Sequence, residues 1–179
     1  MRFCLIALLL PVGQSNAQET VEPDGVIHHF ERITLDSKFF AEGATFGDLN
    51  GDGHADLIAG PWWYQGPNFE QRQAFYPPKT FDPAGYSDNF FAFVHDFNLD
   101  GHNDILIIGF PGKDASWFQN PGKAVGDWTR HRVLDNVDNE SPTFTDLTGD
   151  GEPELVCQQH GHLGWSGPDP SDPPAPTVC

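Results

Sequence analysis

Apolar positions along this chain fall in short runs with the period of strands. Ala44-Thr45-Phe46 and Phe91-Ala92-Phe93-Val94 alternate between small or polar and bulky residues, and Asp104-Ile105-Leu106-Ile107-Ile108 is rich in β-branched residues and leucine. Turn-forming clusters bound the runs, among them Gly60-Pro61, Pro77-Pro78 and Asn120-Pro121-Gly122. Side chains in a strand alternate between faces, and Gly, Pro, Asn and Asp supply the backbone angles that tight turns need, so this layout predicts short strands joined by turns. No window shows the 3.6-residue period of an amphipathic helix.

Three segments repeat one another. They are Phe46-Gly47-Asp48-Leu49-Asn50-Gly51-Asp52-Gly53-His54-Ala55-Asp56, Val94-His95-Asp96-Phe97-Asn98-Leu99-Asp100-Gly101-His102-Asn103-Asp104, and Phe144-Thr145-Asp146-Leu147-Thr148-Gly149-Asp150-Gly151-Glu152-Pro153-Glu154. Their first aspartates lie 48 and 50 residues apart. A near-constant period of this size marks a stacked or radial repeat, and one acidic loop per group of short strands predicts an all-β propeller. A ring closes with about four to eight blades. Three loops therefore predict about three blades, of a truncated propeller in preference to an open stack that another chain completes, since an open fan would expose edge strands. A second similarity joins Arg32-Ile33-Thr34-Leu35-Asp36 to His131-Arg132-Val133-Leu134-Asp135. It predicts an outer blade strand at the later copy and a ring-closing strand at the earlier one.

Each loop reads Asp-x-(Asn/Thr)-x-Asp-Gly-x-x-(Asp/Glu). Hard divalent cations require several oxygens at short range, and alternate positions of a tight loop supply them. The first loop offers the side chains of Asp48, Asn50, Asp52 and Asp56 with the carbonyl of His54. The second offers Asp96, Asn98, Asp100 and Asp104 with the carbonyl of His102. The third offers Asp146, Thr148, Asp150 and Glu154 with the carbonyl of Glu152. Oxygen ligands alone favour calcium over zinc or copper. The loops are not EF-hands, which need a carboxylate at the twelfth place; here that place holds Ala59, Ile107 and Cys157. The plainer reading is that Asp-Gly pairs merely make hairpin turns, but three copies in phase favour metal. The third copy reads as the weakest, because Thr148 replaces Asn and Pro153 stiffens the loop.

These segments resemble FG-GAP or VCBS-type repeats, the family whose blades build the integrin alpha-subunit propeller and many secreted bacterial propellers. Phrases such as Gly60-Pro61-Trp62-Trp63, Tyr86-Ser87-Asp88-Asn89 and Phe110-Pro111-Gly112-Lys113 also resemble large secreted proteins of planctomycete-like bacteria. The resemblance spans about residues 25 to 170 and implies propeller blades and calcium loops. It says little about a ligand.

The ends and the composition narrow the setting. Met1-Arg2 precedes a short apolar run, and Ser15-Asn16-Ala17 places small residues before a cut after Ala17. That is the layout of a secretory signal peptide over residues 1–17, and it predicts an extracellular or periplasmic protein. Residues 18–167 then hold the repeats, and 168–179 form a proline-rich end expected to be loose. No apolar stretch is long enough to span a bilayer as a helix. The net charge is −17; losing Arg2 leaves 8 basic against 26 acidic residues, or −18. Such a charge argues against nucleic acid, which wants basic patches, and suits divalent cations. Aromatic residues make up 13% of the chain, which separates it from acidic disordered segments. Past the leader, only Cys157 and Cys179 remain; they pair in an oxidising compartment, or Cys157 is a buried thiol.

Glu42, Asp88 with Asn89, and Glu140 recur just ahead of the loops. They read as a rim that contacts a cation, sugar or partner, or as turn caps that hold adjacent blades together. Trp62, Trp63, Tyr64, Trp117, Phe118 and Trp165 follow the second strand of each unit and read as blade packing more than as sugar platforms. The histidines, with His28-His29 and His160-x-His162 as the closest pairs, show no HExxH spacing. There is no nucleophile elbow. The leading expectation is thus a non-catalytic binding or scaffold module for carbohydrate or an extracellular protein. The alternative is the propeller part of a secreted carbohydrate-active lyase, hydrolase or dehydratase.

Overall fold

The computed structural model describes residues 32–122, 128–168 and 176–178, and the signal-peptide reading lies outside them. Among the described residues every regular element is a strand, and no helix is long and apolar enough to cross a membrane. The twelve strands form three four-stranded antiparallel sheets. Blade one is β1 (Ala44–Gly47), β2 (Asp56–Ala59), β3 (Trp62–Tyr64) and β4 (Arg72–Ala74). Blade two is β5 (Phe91–His95), β6 (Asp104–Ile108), β7 (Lys113–Gln119) and β8 (Thr129–Val137). Blade three is β9 (Thr143–Thr145), β10 (Glu154–Gln159), β11 (His162–Pro168) and β12 (Pro176–Val178). Each blade is a meander whose neighbours in sequence are neighbours in the sheet. The expected all-β blades are therefore present, with the acidic loop joining the first two strands of each.

Registers follow from the turns. Ala44 pairs with Ala59 and Gly47 with Asp56, so the first loop hangs from the end of the β1–β2 ladder. His95 pairs with Asp104, and Thr145 with Glu154, which places the other two loops identically.

The core lies between blades. Residues of β6 are buried throughout. Ile105 and Ile107 pack toward blade one with Leu49, Ile58, Trp63 and Phe75, while Leu106 and Ile108 pack toward blade three with Leu155 and Cys157. Alternation of side chains explains the split. A middle strand covered on both faces needs apolar residues at every position, which is what Ile105-Leu106-Ile107-Ile108 supplies. Trp63, Tyr64, Trp117 and Phe118 are buried and Trp62 is half-buried under the Arg72 guanidinium, so these aromatics pack the blades. The side chain of Trp165 is outside the described set.

Two expectations change. Residues 32–36 form no strand, whereas their look-alike at 131–135 lies in β8, the outer strand of blade two. The free edge of β11 is taken instead by β12, whose Thr177 pairs with Gly167. The stretch expected to be loose thus includes an edge strand, the place in a sheet where proline's missing N–H does least harm. Cys157 is a buried free thiol whose pKa burial pushes up; Cys179 lies outside the described residues.

Candidate metal centre

The three loops fold alike down to single hydrogen bonds. The N–H of the sixth residue donates to the first aspartate: Gly53 to Asp48 at 2.8 Å, Gly101 to Asp96 at 2.8 Å, Gly151 to Asp146 at 3.0 Å. The seventh donates to the fifth: His54 to Asp52 at 2.9 Å, His102 to Asp100 at 3.0 Å, Glu152 to Asp150 at 3.0 Å. The second donates to the ninth: Leu49 to Asp56 at 3.0 Å, Phe97 to Asp104 at 3.0 Å, Leu147 to Glu154 at 2.7 Å. The sixth residue has φ of +83°, +89° and +98° in turn, a left-handed backbone that only glycine adopts without strain.

The third position differs. The amide oxygens of Asn50 and Asn98 accept from Asp52 and Asp100 N–H at 3.0 and 3.1 Å. The Thr148 hydroxyl donates instead to Glu154 Oε1 at 3.1 Å. Glutamate is one methylene longer than aspartate and reaches further under the loop. Oxygens of Asp146, Asp150 and Glu154 all lie within 4.8 Å of one another. Sequence alone ranked this loop lowest, yet it is the one that gathers three carboxylates most tightly among the described residues.

Position nine is buried in each loop: Asp56, Asp104 and Glu154 are at most 1% exposed. Asp56 Oδ1 also takes the Gly66 N–H at 2.9 Å, and Asp104 Oδ1 that of Asn120 at 2.7 Å, so this carboxylate ties the loop to the next hairpin. Burial, with lesser repulsion from Asp100 and Asp96, pushes the Asp104 pKa up to about 7. Burial likewise raises Asp56. At exposed Asp52 the His54 N–H bond, aided by Asn50, holds the carboxyl below its ordinary value.

The donor set suits a hard cation. Each carboxylate carries about four lone-pair sites, so the backbone bonds above leave acceptor capacity. A dication among these groups would favour their charged forms and oppose the burial cost at Asp104. Asp48, Asn50, Asp52 and Asp56, with their counterparts in the other loops, are the residues that would hold it.

Two residues without an expected role in the site secure the first loop. Asn103 Nδ2 donates to Asp48 O at 2.8 Å, and Asn120 Nδ2 to Leu49 O at 2.7 Å, so blade two grips the loop of blade one. Only the departure of Asn103 from Ala55 and Pro153 in phase marks it in the sequence. The proposed rim residues divide. Glu42 accepts from the Ser87 N–H at 2.9 Å and from its hydroxyl, which links the lead into blade one to the segment that precedes β5. Asn89 is buried, Asp88 pairs with Lys79 at 2.9 Å, and Glu140 is exposed. His160 is exposed, with Asn136 at 3.5 Å from its Nδ1; His28 and His29 lie outside the described residues.

Fold and loops together define an all-β repeat protein of four-stranded blades, each with one acidic loop between its first two strands. The chain is an FG-GAP-type repeat protein: residues 40–68 match the FG-GAP repeat and residues 96–157 the FG-GAP-like repeat, and these spans contain all three loops. The matches carry the repeat family and no narrower bacterial group. No curated protein and no solved structure matches the chain.

Proposed function

We propose that this protein is an exported calcium-binding repeat module that binds or scaffolds an extracellular partner. The observation that supports it is the threefold recurrence of one loop, with oxygen side chains at places one, three, five and nine, of which those at one, five and nine accept the same backbone N–H bonds in all three copies. Like charges gathered in each loop repel without a cation, by roughly 4 kcal/mol per pair at 4 Å and an effective dielectric near 20. This is an upper guide, since an open loop relaxes. An ion that binds only the folded loop stabilises it by mass action, about 2.7 kcal/mol at a hundredfold excess over Kd. Magnesium demands stricter octahedral geometry and keeps its waters, so it substitutes poorly.

The test uses protein recovered from the medium with Gln18 at its N-terminus; an intact Met1 would count against export. Chelator should lower the thermal midpoint by at least about 5 °C, and calcium should restore it better than magnesium. Asp52→Ala and Asp100→Ala should each blunt the response, and Thr148→Ala least. A midpoint indifferent to chelator and calcium would leave ordinary Asp-Gly turns in place of metal sites.

A further inference from the structure

Two side-chain amides join the first acidic loop to the second. Asn103 is the eighth residue of the second loop and precedes its buried carboxylate, Asp104. Its Nδ2 donates at 2.8 Å to the carbonyl of Asp48, the first residue of the first loop. Asn120, 3% exposed, holds both loops at once. Its backbone N–H donates to Asp104 Oδ1 at 2.7 Å, and its Nδ2 donates to the carbonyls of Asn103 at 2.9 Å and Leu49 at 2.7 Å. Its Oδ1 accepts the Gly122 N–H at 3.0 Å, which sets the amide so that Nδ2 faces the two carbonyls. Leu49 is itself buried in a cluster with Ile105, the residue after Asp104. A chain of short hydrogen bonds therefore runs from Asp104 of one loop to Asp48 and Leu49 of the other.

The place of Asn103 is taken by Ala55 in the first loop and by Pro153 in the third. Neither side chain can donate, so the second loop receives no such bond from that place in blade three.

The state of the second loop must then be felt at the first. Without a cation, the carboxylates of Asp96, Asp100 and Asp104 repel one another, and the loop opens more readily. Opening draws Asp104 away from the Asn120 N–H and Asn103 away from the Asp48 carbonyl, so the first loop loses its outside supports. A cation that closes the second loop restores them, and the first loop then has less ordering left to do when its own ion binds. Coupling of this kind is reciprocal. We propose that the first two loops bind calcium with positive cooperativity, transmitted by Asn103 and Asn120, while the third loop binds on its own. The proposal rests on the metal reading of the loops and adds how two of the sites act on each other.

The amide signals of Gly53, Gly101 and Gly151, the sixth residue of each loop, follow the three loops separately in a nuclear magnetic resonance titration with free calcium set by a chelator buffer. Asp100→Ala, which removes a carboxylate of the second loop, should raise the free calcium at half-change of Gly53 at least about fivefold. Asp52→Ala should raise that of Gly101 by the same factor and leave Gly151 unmoved. Asn103→Ala, which installs the residue that the first loop carries at this place, should at least halve both factors. A purely structural role for Asn103 would instead weaken calcium at the first loop and leave both factors as they were. That result, or a Gly53 response indifferent to Asp100→Ala, would overturn the coupling and leave the metal reading intact. No calcium response at any of the three glycines would overturn both.

Discussion

Leu99 stands where the other loops have glycine. The fourth loop position is Gly51, Leu99 and Gly149, with φ of +74°, +56° and +80°. A leucine forced into left-handed backbone costs roughly 1–2 kcal/mol, and this side chain is exposed, so it gains little by burial. Leu99→Gly should raise the thermal midpoint by a few degrees, because relief of strain outweighs the greater freedom that glycine gives the unfolded chain. A midpoint that falls would show that the Leu99 side chain contributes contacts worth more than the strain. The places of the loop carboxylates are legible from spacing alone. The ranking of the loops is not, because it depends on how far a side chain reaches: Thr148 looks like a lost ligand until Glu154, one methylene longer, is seen to meet its hydroxyl.

At the scale of elements, legibility follows burial. The unbroken apolar run of β6 announces a strand covered on both faces. Ile105→Ala, at a position that is fully buried, should cost about 2–5 kcal/mol, read as a lower denaturant midpoint with the slope unchanged. The outer strands are harder to read. Arg72-Gln73-Ala74 of β4 has no apolar pattern, and β12 is hidden in a proline-rich stretch; both are edge strands that one neighbour defines. The β7–β8 pair is also held by charge. Asp114 is partly buried, which raises its pKa, but the Ser116 hydroxyl, Arg130 and Arg132 together hold it below the ordinary value. Its folded pKa is depressed, so its stabilising contribution is present above the unfolded value near 3.8 and is lost as pH falls through the folded pKa. Asp114→Asn should therefore lower the midpoint at pH 7 and do so much less near pH 3. A difference that persists unchanged at low pH would assign the effect to packing.

Over the whole molecule the repeat period was the strongest signal in the sequence, and it placed the three blades correctly. What it concealed was how blades adhere, since Asn103, Asn120 and Glu42 act across a blade boundary and no local pattern announces a partner 45 to 71 residues away. The contact itself recurs in phase. Leu49 is 4% exposed in the cluster with Val94, and Phe97 meets Phe144 at 5.6 Å. The same loop place in blade three is Leu147, 54% exposed, and the place before the first loop is Phe46, 73% exposed. The protein thus behaves like a row of interlocking tiles, with a tab on one outer side and a socket on the other. Such a row has a direction: whatever continues it must offer a socket to Leu147 or a tab to Phe46, so additions are polar and like sides do not mate.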